Sequence, residues 1–373
     1  MPEGPEIHMA ARFINQVNKH HKFGGRIVKS AVSTKNPEVE FTASLYNIKA
    51  ESRGKELKVF LSDSKKKKNQ THILFRFGMS GSFKLSSAEE LPKHAHLQFF
   101  TVGEKPEQVL SFVDYRRFGR WEIEGDWGKD RGPDPMFDYN SFRQNVVNNL
   151  QAAAFNKPIC ETLLDQKYFN GIGNYLRAEI LFRAKVKPFS QAREVLEGLG
   201  ETCDDKKDPD ILLLCHIVPL EVLKLDKGKN YDPQESDQSF DSWLQCYYVD
   251  GMKNLKDGNG RTIWFAGDPG PMVPKNSRTV GRKGKTASKF PKSGRDIKQE
   301  DDDEKLVDVK DETQQIKKTA SKFPLTGRDI KEEDDDKKLV NVKDETQQIT
   351  DDDETNFKRP KRSRRAKGVT SEI

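Results

Sequence analysis

The chain has 373 residues, which is enough for two compact domains and a tail. Hydrophobic residues make up 34% of the chain and charged residues 33%, and beyond about residue 275 the sequence is too charged to bury a core. The net charge of +6 favours an anionic partner, and without a long apolar run we expect neither a signal peptide nor a membrane span.

The first predicted element is a helix that follows the N-terminal sequence Met-Pro-Glu-Gly-Pro-Glu. Pro5 suits a first helical turn, where its missing N–H costs nothing, and apolar residues then recur at helical spacing through Val17. Removal of Met1 would leave Pro2 as a free secondary amine, a nucleophile that can form an iminium with a carbonyl carbon. Glu3 adds a carboxyl group beside that amine. The hexapeptide alone fits a simple capped helix equally well.

The next hundred residues predict a mostly antiparallel β-sandwich. Short segments rich in β-branched and aromatic residues alternate with clusters of Gly, Pro, Asp and Lys. A run of four lysines at 65–68 is most simply a solvated hairpin tip. The predicted strands are 26–33, 46–50, 57–61, 73–77, 95–100, 109–113 and 120–123.

From residue 138 the apolar period becomes helical, which predicts a second, α-helical domain. The turn signal Asp-Gly-Asn-Gly at 257–260 then predicts a β-hairpin between 247–248 and 261–265. The expected fold is therefore α+β: a helix with a sandwich, a helical domain, a hairpin and a disordered charged tail. The predicted helices are 139–155, 159–166, 174–184, 192–198 and 209–224.

Two turns carry candidate functional residues. Lys55 follows a glycine at the start of a strand, although most such lysines are only solvated. The glycine-rich segment 169–174 joins two predicted helices, and Asn174 would cap the second, where backbone N–H groups can bind an anion. Tight helix–turn–helix packing uses the same residues, so this turn alone does not decide the function.

Six motifs in order carry a more specific signal. They are PEGPE at 2–6, RGKEL at 53–57, RFGMSGS at 76–82, DYRRFGRW at 114–121, the block 165–181 and GRTIWF at 260–265. Residues 2 to about 274 thereby resemble the formamidopyrimidine-DNA glycosylase and endonuclease VIII family of bifunctional DNA repair enzymes. The resemblance favours a nucleophilic Pro2 over a merely capped helix.

The resemblance implies a catalytic role for four residues. Pro2 would attack the deoxyribose C1′ and form a Schiff base, and Glu3 would be the acid that assists opening of the sugar. Lys55 would contact phosphate and assist elimination, and Glu6 would be a supporting carboxylate.

The resemblance also implies DNA-binding residues. Asn174 would bind phosphate from the helix–two-turn–helix motif, and Arg261 would grip the phosphates around the lesion. Met79, Arg116 and Phe118 would fill the gap that remains when the damaged nucleotide flips out, which costs a few kcal/mol of stacking and pairing. The implied divisions are a catalytic domain at 2–130, a DNA-binding domain at 131–240, a finger at 241–274 and a tail at 275–373.

The finger departs from the family's usual pattern. Many relatives end in a four-cysteine zinc finger, whereas here the cysteines stand singly, at 160, 203, 215 and 246. We therefore expect a zincless finger in a reducing intracellular compartment, with no metal or other cofactor and no sensitivity to chelators. Apolar packing would hold the hairpin, through Trp243, Tyr247, Ile263, Trp264 and Phe265.

Two further segments carry predictions of their own. Residues 227–231 fall where the subgroup with a zincless finger covers the flipped base, so Lys229 and Tyr231 are candidate lesion contacts; an ordinary polar loop is the alternative.

In the tail, residues 285–316 recur as residues 318–349, and the cluster 358–367 has the composition of a nuclear import signal or of a non-specific nucleic-acid-binding tail. Four tail lysines also fit a pattern for conjugation of small ubiquitin-like modifiers: Lys298, Lys310, Lys331 and Lys343. The alternative is a solvated polyampholyte in which the duplication doubled two chance matches.

The sequence thus predicts a monomeric nuclear DNA glycosylase and β,δ-lyase that removes oxidised pyrimidines and ring-opened purines. Its expected partners are damaged DNA in duplex, bubble or single-stranded form, and replication and downstream repair proteins through the tail. One alternative is a chromatin binder without turnover, which the intact catalytic residues argue against. The other is a glycosylase specialised for 8-oxoguanine, which the presence of all three gap-filling residues argues against.

Overall fold

The computed structural model describes residues 1–200, 208–225, 238–277 and 279. The candidate lesion contacts Lys229 and Tyr231, Cys203, the tail repeat with its four lysines and the basic cluster lie outside these residues. Within them, no helix is both long enough and apolar enough to cross a membrane.

Helix α1 (Gly4–His20) lies against the sandwich with one apolar face buried, and Ile7 and Ile14 are among the residues of that face. The side-chain amide of Asn15 accepts from the backbone N–H of Ala50 at 2.8 Å and donates to the Ala50 carbonyl at 2.9 Å. This pair of hydrogen bonds to a strand fixes the position of the helix along its own axis. The N-terminal residues are therefore held at a defined place.

The sandwich has a five-stranded sheet, in the order β1-β3-β4-β5-β9, and a four-stranded sheet, in the order β2-β7-β8-β6. Every described pair of neighbouring strands is antiparallel. Aromatic side chains fill the core between the sheets, including Phe75, Phe112 and Trp121. The strands are β1 (Phe23–Arg26), β2 (Val28–Lys29), β3 (Thr42–Arg53), β4 (Glu56–Asp63), β5 (Gln70–Arg76), β6 (Ser82–Ser87), β7 (Ala95–Phe100), β8 (Gln108–Val113) and β9 (Arg120–Ile123).

The second part of the chain is helical and builds a separate apolar core. The hairpin of β10 (Lys253–Lys256) and β11 (Thr262–Phe265) packs against this core, and Ile263, Trp264 and Phe265 are buried. The α+β prediction is therefore confirmed. The helices are α2 (Tyr139–Val147), α3 (Ile159–Thr162), α4 (Asn174–Arg183), α5 (Ala192–Leu196), α6 (Ile211–Leu225) and α7 (Gln238–Trp243).

Several predicted boundaries were wrong. The strand at 26–33 is two strands in different sheets, because the ladder of β1 is irregular beside Gly25 and the chain crosses over at Ile27. Strand β6 was missed, since its serines and lysine give little strand signal. The helix at 139–155 ends at Val147, and the one at 159–166 ends at Thr162.

The first strand of the hairpin was also misplaced. It is β10, not 247–248, because Tyr248 has a φ of 59° and the N–H of Tyr247 donates to the Glu179 carboxylate at 2.9 Å. A residue in the left-handed region cannot continue a strand. The predicted turn at 257–260 does join β10 to β11.

Candidate active site

The site forms where the start of α1 meets the start of α4. Glu3 is buried, and its carboxylate accepts hydrogen bonds from the backbone N–H groups of Gly173 at 2.7 Å and Tyr175 at 2.9 Å. The first N–H groups of a helix lack partners within the helix, so they suit a carboxylate. Burial nevertheless raises the pKa of Glu3 to about 7, against the opposite effect of the Lys55 ammonium. A protonated acid is therefore well populated at neutral pH.

Glycine at position 173 lets this carboxyl group approach the helix. A Cβ added to Gly173 would lie 2.3 Å from the Glu3 carboxyl carbon, far inside van der Waals contact. The neighbouring turn is also close to α1, because the N–H of Gly4 donates to the carbonyl of Gly171 at 2.9 Å. The glycine-rich turn thus serves to seat an acid from the other end of the sequence.

Lys55 lies at the same junction. It follows Gly54, whose φ of 54° suits a tight turn between β3 and β4. Its ammonium donates to the carbonyl of Ile172 at 2.7 Å, and the Gln166 amide donates to the same carbonyl at 3.0 Å. Burial lowers the pKa of Lys55 to about 8, Glu3 acts in the opposite direction, and the charges of Arg131 and Arg261 lower the pKa further.

Glu6 supports the N-terminus from the first turn of α1. Its carboxylate accepts the N–H of Glu3 at 2.8 Å and the hydroxyl of Tyr175 at 2.9 Å. Burial raises the pKa of Glu6 in spite of both bonds, and the nearby N-terminal ammonium acts against the rise. Pro2 is half-buried beside these groups. Tyr175 therefore links both carboxyl groups, through its N–H to Glu3 and its hydroxyl to Glu6.

Asn174 is bonded to the residue that follows Arg261. The side-chain amide of Asn174 donates to the carbonyl of Thr262 at 3.0 Å, next to exposed Arg261. The prediction that Asn174 caps α4 was wrong, because Gly173 is the residue that precedes the helix and Asn174 is its first residue. The amide is directed at the hairpin instead.

Met79, Arg116 and Phe118 form an exposed group on the sandwich side of the protein. The Arg116 guanidinium lies 5.2 Å from the centre of the Phe118 ring, within the range of a cation–π contact. Buried Asp114 ties the two loops together, since it accepts the N–H of Gly119 at 2.6 Å and the hydroxyl of Ser80. The two loops that carry these three exposed side chains are thus joined by a buried acid.

Asp114, Gly173 and Tyr175 are positioning residues that were not predicted from the sequence. All three lie within the recognised motifs, and a carboxylate directly after an apolar strand was the available signal for Asp114. The described part of the chain contains no group of three His, Cys, Asp or Glu side chains able to hold a metal ion. Its cysteines, Cys160, Cys215 and Cys246, are buried free thiols.

Three family models match the chain in succession. Residues 1–121 match the formamidopyrimidine-DNA glycosylase N-terminal domain, and residues 131–202 match the H2TH domain of the same family. Residues 238–274 match the DNA-binding region of endonuclease VIII-like 1.

The relatives agree with these matches. Endonuclease 8-like 1 of Mus musculus is 50% identical over 301 residues, covering 76% of this chain and 77% of the relative. The Homo sapiens protein of that name is 48% identical over 309 residues, covering 78% of this chain and 79% of its own length. A formamidopyrimidine-DNA glycosylase of Listeria monocytogenes is 31% identical over 202 residues, which is 50% of this chain and 68% of that enzyme.

Solved structures share the fold. The MutM (Fpg) protein of Thermus thermophilus superposes with a TM-score of 0.53 at 22% identity, over 71% of this chain and 97% of that one. The Lactococcus lactis Fpg structure, non-covalently bound to DNA with an abasic site, gives a TM-score of 0.51 at 21% identity, over 70% of this chain and 97% of the other.

Proposed function

This chain belongs to the formamidopyrimidine-DNA glycosylase and endonuclease VIII family, and we infer that it is a base excision repair DNA glycosylase with abasic-site lyase activity. It acts on oxidised bases in DNA. The observation that best supports an active enzyme is the seating of Glu3, next to Pro2, on the N-terminus of α4 within reach of the Lys55 charge.

The proposed reaction starts when the amine of Pro2 attacks C1′ of the damaged nucleotide. The bond from C1′ to the base breaks, and the base leaves with the proton that the Pro2 nitrogen loses. Glu3 then protonates the ring oxygen as the bond from C1′ to that oxygen breaks, and the electron pair of the Pro2 nitrogen forms the iminium with C1′. Loss of a proton from C2′ then expels the 3′ phosphate, and a second elimination expels the 5′ phosphate. Lys55 stabilises phosphate during these steps, and Glu6 keeps the N-terminus in place.

Borohydride trapping tests this function directly. Reduction of the iminium should join the protein covalently to an oligonucleotide that contains an oxidised pyrimidine. A variant that carries Pro2→Ala and one additional residue before position 2 should form no adduct. The wild-type protein should form none with undamaged DNA. A wild-type protein that binds lesion DNA but forms no adduct would support the chromatin-binder alternative.

The rate of base release should depend on pH in a bell-shaped manner. Glu3 loses the proton that it must donate as the pH rises above about 7, and once the amine is also free, above about pH 8, the rate falls on the basic side. At low pH the amine, with an ordinary pKa of about 7.7–8.0, is protonated and cannot attack. Lys55→Gln should shift the profile to higher pH, because the Lys55 charge lowers the Glu3 pKa.

Single-turnover rates across pH on one lesion duplex measure this shift. The exposed Lys49, on strand β3 of the same sandwich, provides the matched control, and Lys49→Gln should leave the profile unchanged. If both variants keep the wild-type profile, Glu3 is not the titrating acid.

The finer specificity is also a proposal. We propose that oxidised pyrimidines and ring-opened purines are the preferred lesions, that the protein acts as a monomer, and that replication and downstream repair proteins bind its tail. The exposed group of Met79, Arg116 and Phe118 supports this preference by suiting a gap in the stack. The division at residues 130, 240 and 274 is a proposal too, supported by the family-model bounds.

We propose a nuclear location, directed by the basic cluster at 358–367. Removal of residues 280–373 should abolish nuclear accumulation of a fluorescent fusion while leaving base release from short oligonucleotides intact. The control is a deletion of 285–316, which removes one copy of the repeat and keeps the basic cluster. Nuclear accumulation that survives the larger deletion would mean that the signal lies elsewhere.

A further inference from the structure

The finger is held to the helical domain by a completely buried ion pair. Arg177 on α4 and Asp257 at the end of β10 have no exposed side-chain surface, and the Arg177 Nη1 lies 2.7 Å from the Asp257 Oδ2. Taking two charges out of water is costly, and the cost is offset only where further hydrogen bonds complete the pair. Here Arg177 also donates to the carbonyl of Cys160 at 2.8 Å.

The same carboxylate shapes the turn that carries Arg261. The Asp257 Oδ1 accepts the backbone N–H of Asn259 at 3.0 Å and that of Arg261 at 2.8 Å. One oxygen of Asp257 therefore fixes the conformation of the turn, and the other attaches the turn to α4. Glu161 adds a second attachment, because it accepts the N–H of Gly258 at 2.7 Å.

Side chains of α4 also form hydrogen bonds with the backbone before and after β10. The carbonyl of Thr262 accepts from the Asn174 amide at 3.0 Å and from Arg177 at 3.3 Å. Before β10, the buried carboxylate of Glu179 accepts the N–H groups of Cys246 and Tyr247, both at 2.9 Å. The helix that carries Asn174 thus holds the finger through side chains spaced along its length.

We propose that Arg177 and Asp257 are positioning residues that hold Arg261 at a fixed distance from Asn174, so that both grip the DNA backbone around the lesion as one unit. The pair does in this finger what a bound metal ion does in a zinc finger, which is to fix the fingertip to a rigid base. The inference rests on the proposed function, because it assumes that both residues bind phosphate.

The variants are chosen to separate positioning from folding. Asp257→Asn keeps an oxygen for the turn bonds and removes the charge, and Arg177→Met keeps the length of the side chain and removes its charge. Together they remove the ion pair without leaving a lone buried charge, which would be the more damaging change. Arg177→Lys is the conservative variant, since it keeps a charge but cannot make all the bonds of a guanidinium.

A second ion pair on the chain provides a matched control. Lys187 and Asp268 also lie 2.7 Å apart, but their side chains are 56% and 60% exposed. Lys187→Met with Asp268→Asn changes the same charges at the surface, where an ion pair contributes little. This control should match the wild type in every measurement.

The experiment measures the Kd for a duplex with a stable abasic-site analogue, and the single-turnover rate of base release at saturating enzyme. The Arg177→Met/Asp257→Asn protein should bind the analogue about ten- to a hundredfold more weakly, the loss expected for one hydrogen bond to a charged group, while its saturated rate stays within a few-fold of wild type. Introduced into the wild-type protein, Arg261→Ala should weaken binding. Introduced into the double variant, it should cause little further loss of affinity, because Arg261 is already misplaced there.

The outcomes are distinct. If the wild-type protein forms no borohydride adduct, the proposed function has failed, whatever the variants do. If the wild type forms the adduct and the double variant keeps wild-type affinity, or if the Arg261→Ala effect adds fully to it, the positioning role is overturned. Should thermal unfolding show that the double variant does not fold, Arg177→Lys decides: intermediate affinity at a wild-type rate supports the role, and wild-type affinity ends it.

Discussion

A protein that keeps an extra residue before Pro2 should neither release bases nor cleave abasic sites. Acylation converts the secondary amine of Pro2 into an amide, which has no basic lone pair for attack at C1′. We expect base release to fall by at least about ten-thousandfold, as when other enzymes lose their nucleophile. Oligonucleotide assays with an N-terminal tag that a protease removes directly before Pro2 measure this effect, and cleavage of the tag should restore activity.

Two controls separate the amine from its surroundings. A tag at the C-terminus should leave the activity unchanged. Glu3→Gln with a free Pro2 should strongly slow base release but keep part of the cleavage at preformed abasic sites, because the base is already gone and the hemiacetal of such a site opens without the enzyme to an aldehyde that the amine can attack. Full activity of the uncleaved N-terminal fusion would rule out Pro2 as the nucleophile.

Gly173→Ala should have the second largest effect, although position 173 carries no reactive group. The new methyl group would overlap the Glu3 carboxyl group, whose carbon lies 2.3 Å from the ideal Cβ position. Displacing the acid from the N–H groups of α4 should slow base release by about a hundredfold. The strain should also lower the free energy of unfolding by about 1–3 kcal/mol.

The cause can be tested by removing the group that the methyl meets. In a Glu3→Ala background the overlap disappears, so Gly173→Ala should no longer lower the unfolding temperature. If Gly173→Ala destabilises both backgrounds equally, the glycine is required by the backbone and not by Glu3.

The sequence was sufficient to predict the structural elements that depend only on residues close together in the chain. The N-terminal helix, the turn at 257–260 and the alternation from strands to helices all follow from short-range patterns. The register of α1 on the sandwich could not be predicted, because it depends on the amide of Asn15 meeting Ala50, which lies 35 positions away in the chain.

The candidate site shows the same limit more strongly. Glu3 and Gly173 are 170 positions apart, so no local pattern reveals that a glycine in a turn makes room for an acid in another element. Arg177 resembles any charged residue of a surface helix until Asp257 is placed opposite it. Apolar packing was correctly expected for the finger, but the buried charges that attach it to α4 were not.

The hydrogen bonds of the Ile172 carbonyl determine how readily Lys55 can leave that carbonyl for another acceptor. A buried carbonyl that loses its only hydrogen bond carries a penalty of about 1–3 kcal/mol, and that penalty would oppose the departure of the lysine toward a phosphate. Here Gln166 donates to the same oxygen at 3.0 Å, so the carbonyl stays satisfied when the ammonium leaves. In the free protein the lysine is therefore held by an acceptor that can release it.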